Sequence, residues 1–312
     1  MLRRQRSVGR TKRLRRVSVE AHAKINLGLA VVGRRSDGFH DIETLFQSVT
    51  LSDTVRLAPR TASEGVDLTV NGPGVPSGPE NLAWRAAEAV SGAFDCGSVS
   101  IELTKRIPVA AGLGGGSADA AAVMVGMDAL FDLGAGAEGL RPLAEALGSD
   151  VPFMLSGGTA LGTGRGERLE TLPALSGVWF VLVTPKFGVS AAEAYGMARI
   201  GLTEPAKFIR VNCLAVREGD IPRFAKGLRN DLEAGVVSAY PEVARVRDAL
   251  LSAGAMAAVM SGSGPTVVGM VECEAAGSDI ASHLAGCGHD IHVVAPIDVG
   301  QVVTATEDAF QG

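Results

Sequence analysis

The sequence predicts an α+β protein. Three observations carry this. Strand-like and helix-like segments are mixed along the chain without the regular β–α alternation of a doubly wound sheet. No internal repeat and no low-complexity linker interrupts them. The 312 residues are 46% hydrophobic and 20% charged, enough apolar material for one large domain or two ordinary ones. Aromatics make up only 4% and glycines number 40, so the core must rest on Val, Leu, Ala and Met.

The elements follow in order. "VSVEAHAKINLGLAVVG" alternates apolar and polar residues and reads as a strand. Asp37-Gly38 marks a turn in "RRSDGFH", and "DIETLFQSVTL", "DTVRLAP" and "DLTVNGP" read as further strands. "PENLAWRAAEAVSGAF" is an amphipathic helix with Pro79 near its start, and "SVSIELTKRIP" a strand closed by Pro108. "ADAAAVMVGMDALFDL" reads as a buried helix, "GLRPLAEALGSD" as a shorter one stopped by Gly148, and "SGGTALGTGRGE" as a Gly/Thr loop pair. "GVWFVLVTP" is a fully apolar strand, "SAAEAYGMA" and "PEVARVRDALLSAG" are helices, and "DIHVVAPID" is a late strand. The glycine density around 162–176 places a boundary there, giving a basic tail over 1–17, one domain over 18–170 and another over 171–312.

Composition excludes several classes. Residues 1–16 hold eight Lys/Arg and no acid, so the rest of the chain is more acidic than the net −5 suggests. An acidic body argues against nucleic acid as a partner. The tail lacks the apolar stretch and cleavage site of a secretory signal and reads as disordered, without a specific role. Residues 249–271 carry no charge, but "SGSGP" at 261–265 breaks any spanning helix, so stable membrane association is not expected. The four cysteines form no CxxC pair, and Cys287, His289 and His292 match no zinc spacing. The expectation is a reduced, cytoplasmic protein, monomeric or weakly dimeric, with no structural metal.

The most informative stretch is "PVAAGLGGGSADAAAVM" from Pro108. Gly112, Gly114, Gly115 and Gly116 stand directly before a helix former. Bare backbone lets several N–H groups face one point, and the helix N-terminus adds about half a positive charge. Such a loop suits phosphate oxygens, and Ser117 can cap the helix or donate to the same anion. The loop is not Walker A, because no Lys follows the glycines, nor a Rossmann turn, because Pro108 separates strand from loop and the third glycine position is Ser.

This stretch resembles the second signature of the GHMP kinases, the superfamily of galactokinase, homoserine kinase, mevalonate kinase and phosphomevalonate kinase. "AHAKINLGL" is similar to its first signature, and "MSGSGPTVVG" from Met260 to its third. "AKINLGLAVVGRRSDGFHDIETLFQSV", "GLGGGSADAA", "LGSDVPF" and "NDLE" resemble the branch whose substrate is 4-diphosphocytidyl-2-C-methyl-D-erythritol. The likeness covers most of the chain from about residue 20 and excludes the basic tail. Two positions depart from the branch. Ala118 replaces the usual second serine of the loop, and His22 stands where a proline usually precedes Ala-Lys.

The resemblance implies a two-domain GHMP kinase architecture with the active site in the cleft between domains. It implies transfer of the ATP γ-phosphoryl, with Mg2+, to a hydroxyl of the cytidine diphosphate methylerythritol. Asp150 in "LGSDVPF" matches the catalytic aspartate and Lys24 its partner lysine. ATP would be held by Pro108, Ala110, Gly112, Leu113, Gly114, Gly115, Gly116, Ser117 and Ala118, with Lys105 at phosphate and Asn81 near adenine. The substrate would meet Asn26, two residues from Lys24 on the same strand face, then Phe39 and His40 at the cytosine, Tyr195 stacked on the base, and Gly262 and Ser263 of the third signature. The rival readings are another GHMP kinase of the homoserine or mevalonate type, which lacks a cytidine reader such as "DGFH", a decarboxylase of the same superfamily, which a product assay separates, and a non-catalytic nucleotide or sugar sensor.

Overall fold

A computed structural model describes residues 14–60, 65–198 and 207–309. Strand β1 (Leu14–Arg34) runs antiparallel to β2 (His40–Pro59) along nearly its whole length. Then come β3 (Val66–Asn71), α1 (Leu82–Phe94) and β4 (Val99–Thr104). Helices α2 (Gly115–Phe131), α3 (Gly136–Leu147) and α4 (Val151–Ser156) follow, then the hairpin β5 (Thr159–Gly164) and β6 (Arg168–Leu172). The second half contains β7 (Trp179–Thr184), α5 (Ala191–Gly196), α6 (Lys207–Glu218), α7 (Ile221–Lys226), β8 (Arg229–Asn230), α8 (Glu233–Ala239) and α9 (Glu242–Ser252). It closes with β9 (Ala257–Met260), β10 (Val267–Val271), α10 (Glu274–His283), β11 (Asp290–Val294), β12 (Pro296–Ile297) and β13 (Gln301–Ala309).

Two sheets result. The larger has the order β13-β1-β2-β4-β3, with β5, β6, β8 and β12 attached, and the smaller the order β11-β7-β10-β9. The larger sheet therefore recruits residues 229–230, 296–297 and 301–309 from late in the chain. Of the basic tail, residues 14–17 form the start of β1, paired with β13, and residues 1–13 lie outside the described ones. No helix among the described residues is long and apolar enough to cross a membrane.

Helix α2 is the centre of the first core. Ala118, Ala120, Ala121, Ala122, Val123, Met124 and Met127 are all fully buried, so the helix is apolar on nearly every side. Its small residues allow close approach to the sheet. A Cβ on Gly126 would collide with Leu57 and come within 3.3 Å of Val19. Each fully buried large side chain here, such as Leu57 or Ile101, contributes about 1.5–3 kcal/mol. A second cluster, including Val181, Val183, Val236, Val243 and Leu250, fills the space behind the smaller sheet.

Two local readings change. "SGGTALGTGRGE", expected as a loop pair, ends α4 and forms β5 and the turn into β6. Its glycines carry weak strand propensity, but Ile42–Gln47 of β2 offers a full antiparallel ladder to 159–164 and overrides it. "DIETLFQSVTL" and "DTVRLAP", expected as two strands, are one, because β5 pairs with the first half of β2 and β4 with residues 54–59.

Candidate active site

The site begins with two irregularities in β1. The strand slips register against β2 between His22 and Lys24 and again between Asn26 and Gly28. Such bulges release ladder groups and re-aim side chains. The freed Lys24 N–H donates to Leu113 O (3.1 Å) and the Asn26 N–H to Ser261 Oγ (3.1 Å), so β1 holds both glycine loops through its backbone. The side chains of Lys24 and Asn26 both point into a cavity of about 1100 Å³.

The glycine loop takes its shape from left-handed backbone. Ala110 (φ 52°), Gly112 (φ 76°) and Gly114 (φ 70°) all have positive φ, and Gly114 is the N-cap of α2. At Gly112 a Cβ would run into the carbonyl oxygen of Ser261, and at Gly114 into Met154. Gly116 is different, since its Cβ would meet nothing nearer than Leu82 Cδ1 at 3.7 Å, and its backbone faces the open cavity. The loop between β9 and β10 backs the first. Ser261 Oγ donates to Gly112 O (2.9 Å), and the buried Asn230 amide donates to Met260 O (2.8 Å) and Gly262 O (2.7 Å).

Lys24 is almost wholly buried and surrounded by oxygen. Its Nζ donates to Asn26 Oδ1 (2.6 Å) and Gly112 O (3.1 Å) and lies 3.5 Å from Asp150 Oδ2. Asn26 is fixed in turn by donating to Thr44 Oγ1 (2.7 Å). Asp150 occupies the N-cap position of α4, but its side chain makes no capping bond, and 32% of it is exposed to the cavity. A carboxylate used only to cap the helix would accept from the following backbone N–H groups. This one faces the lysine instead.

At the loop's other side lies a charged cluster. Lys105 Nζ bonds Asp119 Oδ2 (2.6 Å) and Asp53 Oδ2. Asp53 Oδ1 also accepts the Arg106 and Ile107 N–H groups. Burial opposes the Lys105 charge, but the carboxylates of Asp119 and Asp53 outweigh it and hold the ammonium above its ordinary range. Burial, partly countered by Lys105, pushes the Asp119 carboxyl up to about 8. Asp119 Oδ1 is buried and has no hydrogen-bond partner among the described residues.

The opposite end of the cavity is aromatic. The turn after β1 is tied by Arg35, which pairs with Asp37 and Asp41. It presents Phe39, 53% exposed beneath the Arg165 guanidinium (5.3 Å to the ring centroid), and His40. The His40 ring stacks on Tyr195 at 5.0 Å and 15°. Burial, reinforced by the nearby Asp150 charge, holds the Tyr195 phenol above its ordinary range.

The cavity thus gathers Lys24, Asn26, Phe39, His40, Asn81, Lys105, Pro108, Ala110, Gly112, Gly114, Gly115, Gly116, Ser117, Asp150, Tyr195, Gly262 and Ser263. Leu113 and Ala118 do not line it, for their side chains are buried in the core beneath the loop. The alanine that replaces the usual second serine therefore sits in apolar surroundings. Asn81 is engaged structurally, since it accepts from Ala83 N–H (2.9 Å) as N-cap of α1 and donates to Pro76 O (2.7 Å). Sequence reasoning missed Asp53, Asp119, Ser261 and Asn230. Asn230 had a signal in "NDLE", and Asp119 one in its place two residues after Ser117.

A glycine loop at a helix N-terminus, braced by a second glycine turn and flanked by a buried lysine facing an aspartate, defines a small-molecule kinase of the GHMP class. Residues 81–158 match the GHMP kinases N terminal domain and residues 214–290 the GHMP kinases C terminal. A 4-diphosphocytidyl-2-C-methyl-D-erythritol kinase of Moorella thermoacetica is 48% identical over 271 residues, covering 86% of this chain and 94% of the relative. One of Gloeobacter violaceus is 44% identical over 282 residues, covering 88% and 91%. A crystal structure of 4-(cytidine 5'-diphospho)-2C-methyl-D-erythritol kinase superposes with TM-score 0.73 at 34% identity, over 89% of this chain and 98% of that one. Homoserine kinase from Cytophaga hutchinsonii shares the fold, with TM-score 0.78 at 20% identity over 96% and 100%. The chain belongs to the 4-diphosphocytidyl-2-C-methyl-D-erythritol kinase family.

Proposed function

We propose that the protein transfers the γ-phosphoryl group of ATP to a hydroxyl of 4-diphosphocytidyl-2-C-methyl-D-erythritol, a step in making isoprenoid precursors. The observation that carries this reading is the 3.5 Å approach of Lys24 Nζ to Asp150 Oδ2 in a cavity with the glycine loop at one side and the His40–Tyr195 stack at another. ATP lies with its phosphates against the loop N–H groups and the N-terminus of α2. Asp150 accepts the proton of the substrate hydroxyl as its oxygen bonds the γ-phosphorus, and the bond to the β-phosphate oxygen breaks to release ADP. Lys24, 3.5 Å from the carboxylate, orients the hydroxyl. Asn26 anchors Lys24. His40 reads the polar edge of the cytosine, with Phe39 and Tyr195 offering flat apolar faces.

Mg2+ brought with ATP would neutralise phosphate charge. The residues fit such an ion, because Asp119 leaves one buried carboxylate oxygen unpartnered and Mg2+ favours one or two carboxylates beside phosphate oxygens. The four cysteines are all free, in keeping with the reducing cytoplasm, where we place the reaction. The test is ADP release with ATP and each candidate alcohol. Turnover should require the cytidine diphosphate substrate, and preferential turnover of homoserine or mevalonate would reject the reading.

A further inference from the structure

We infer that Asp119 is a ligand of the divalent cation carried by ATP, and that Asp53, its neighbour in the same cluster, is not. This rests on the ATP-dependent reading above. The two aspartates flank one lysine, yet their oxygens are used differently. Both oxygens of Asp53 are engaged, Oδ2 by Lys105 and Oδ1 by the Arg106 and Ile107 backbone N–H groups. Asp119 gives Oδ2 to Lys105 (2.6 Å) and leaves Oδ1 buried with no partner among the described residues. A buried acceptor left unmade is costly, so it marks a group whose partner arrives with a ligand.

Placement agrees. Asp119 lies on α2 one turn beyond Gly115, on the same helix face, and both line the cavity. Lys105 Nζ comes within 3.3 Å of where a Gly115 Cβ would stand, so the cluster abuts the phosphate loop. An unpartnered carboxyl oxygen beside the position of a polyanion offers bare ATP no bond. A divalent cation between the phosphates and Asp119 Oδ1 supplies the missing partner. Lys105 is already bound on two sides and serves to hold the carboxylates in place.

The test reads binding rather than turnover. ATP affinity is measured by titration calorimetry with Mg2+ and with excess EDTA, for wild type, Asp119→Asn and Asp53→Asn. Wild type should bind MgATP tighter than free ATP. Asp119→Asn should lose at least tenfold of that enhancement while binding free ATP as well as wild type or better. Asp53→Asn removes the same charge and should keep the enhancement. Equal enhancement in Asp119→Asn and wild type, as expected if Asp119 were merely a neutral buried acid, overturns the inference. So does equal loss in both variants, which would indicate charge rather than ligation. Asp119→Cys gives a second reading that stands if the asparagine variant does not fold. Its preference should shift from Mg2+ to Cd2+, and an unchanged preference rejects the assignment. Wild type that binds no ATP at all would reject the kinase reading itself, a distinct result.

Discussion

Replacing Gly112 with alanine isolates the geometry on which the glycine loop depends. At φ 76° an L-residue is in the left-handed region, which costs about 1–2 kcal/mol. The new Cβ also runs into the Ser261 carbonyl oxygen and comes within 3.0 Å of the Gly264 nitrogen, both backbone atoms that cannot rotate aside. The loop must shift, which weakens the two bonds its carbonyl accepts, from Ser261 Oγ at 2.9 Å and Lys24 Nζ at 3.1 Å. A neutral bond contributes about 0.5–1.5 kcal/mol and one to a charged group about 1.5–3. With partial retention of both, the variant should lose about 3–5 kcal/mol, and at roughly 2 °C per kcal/mol in a chain of this size its midpoint should fall by about 6–10 °C. ATP should bind at least about tenfold more weakly, a change of 1.4 kcal/mol. Gly116→Ala is the matched comparison. Its Cβ meets only Leu82 at 3.7 Å, so the free protein should melt as wild type does or slightly higher, and any loss should appear only in ATP affinity. Thermal melting and calorimetry check both. Should Gly112→Ala melt and bind ATP like wild type, or Gly116→Ala be the less stable of the two, the steric reasoning is wrong.

Other perturbations separate the remaining parts of the site. Asp150→Asn should retain ATP affinity and lower kcat by about 10²–10⁴-fold, read in the ADP-release assay, since shape is kept and proton acceptance is lost. His40→Ala should raise KM for the cytidine diphosphate substrate by roughly 5- to 150-fold, the equivalent of about 1–3 kcal/mol for an unpaired buried edge, with a smaller effect on KM for ATP. Burial lowers the His22 pKa below its ordinary 6.5, against the opposing pull of Glu20 and of a bond to the Val49 carbonyl. The unfolded chain therefore binds more protons just below pH 6.5, and folding stability should fall as pH drops through that value. Urea midpoints between pH 7.5 and 5 should decline less steeply for His22→Phe, and parallel slopes would contradict this.

The glycine loop was legible in the sequence because its cause is local. Consecutive glycines before an apolar helix favour a left-handed turn that leaves backbone N–H groups free at the helix N-terminus. Lys24 and Asp150 were legible only through resemblance. They stand far apart in the chain, and what joins them is a pair of bulges in β1 and the start of α4, neither of which follows from periodicity. Asp53 was missed for a related reason. In "LSDTV" it resembles a turn acid, yet it is fully buried inside a continuous strand, because Lys105 and two backbone N–H groups converge on it. Strand β5 was missed because the turn signal of its glycines is overruled by a partner strand from far upstream. Where local and long-range preferences disagreed, the long-range ladder decided.

Ser261 has a mechanical consequence. Its hydroxyl is wholly buried, accepts from β1 at Asn26 and donates to the glycine loop at Gly112. Three segments far apart in the chain are pinned at one atom. Any hinge running through that point would have to break buried hydrogen bonds, so the inner end of the cavity is braced against bending. The far rim is held less tightly, for Phe39 is exposed there and the Tyr195 ring lies on His40. Exposed side chains change rotamer quickly, so Phe39 can yield at this rim without disturbing the bonds that Ser261 makes at the other end.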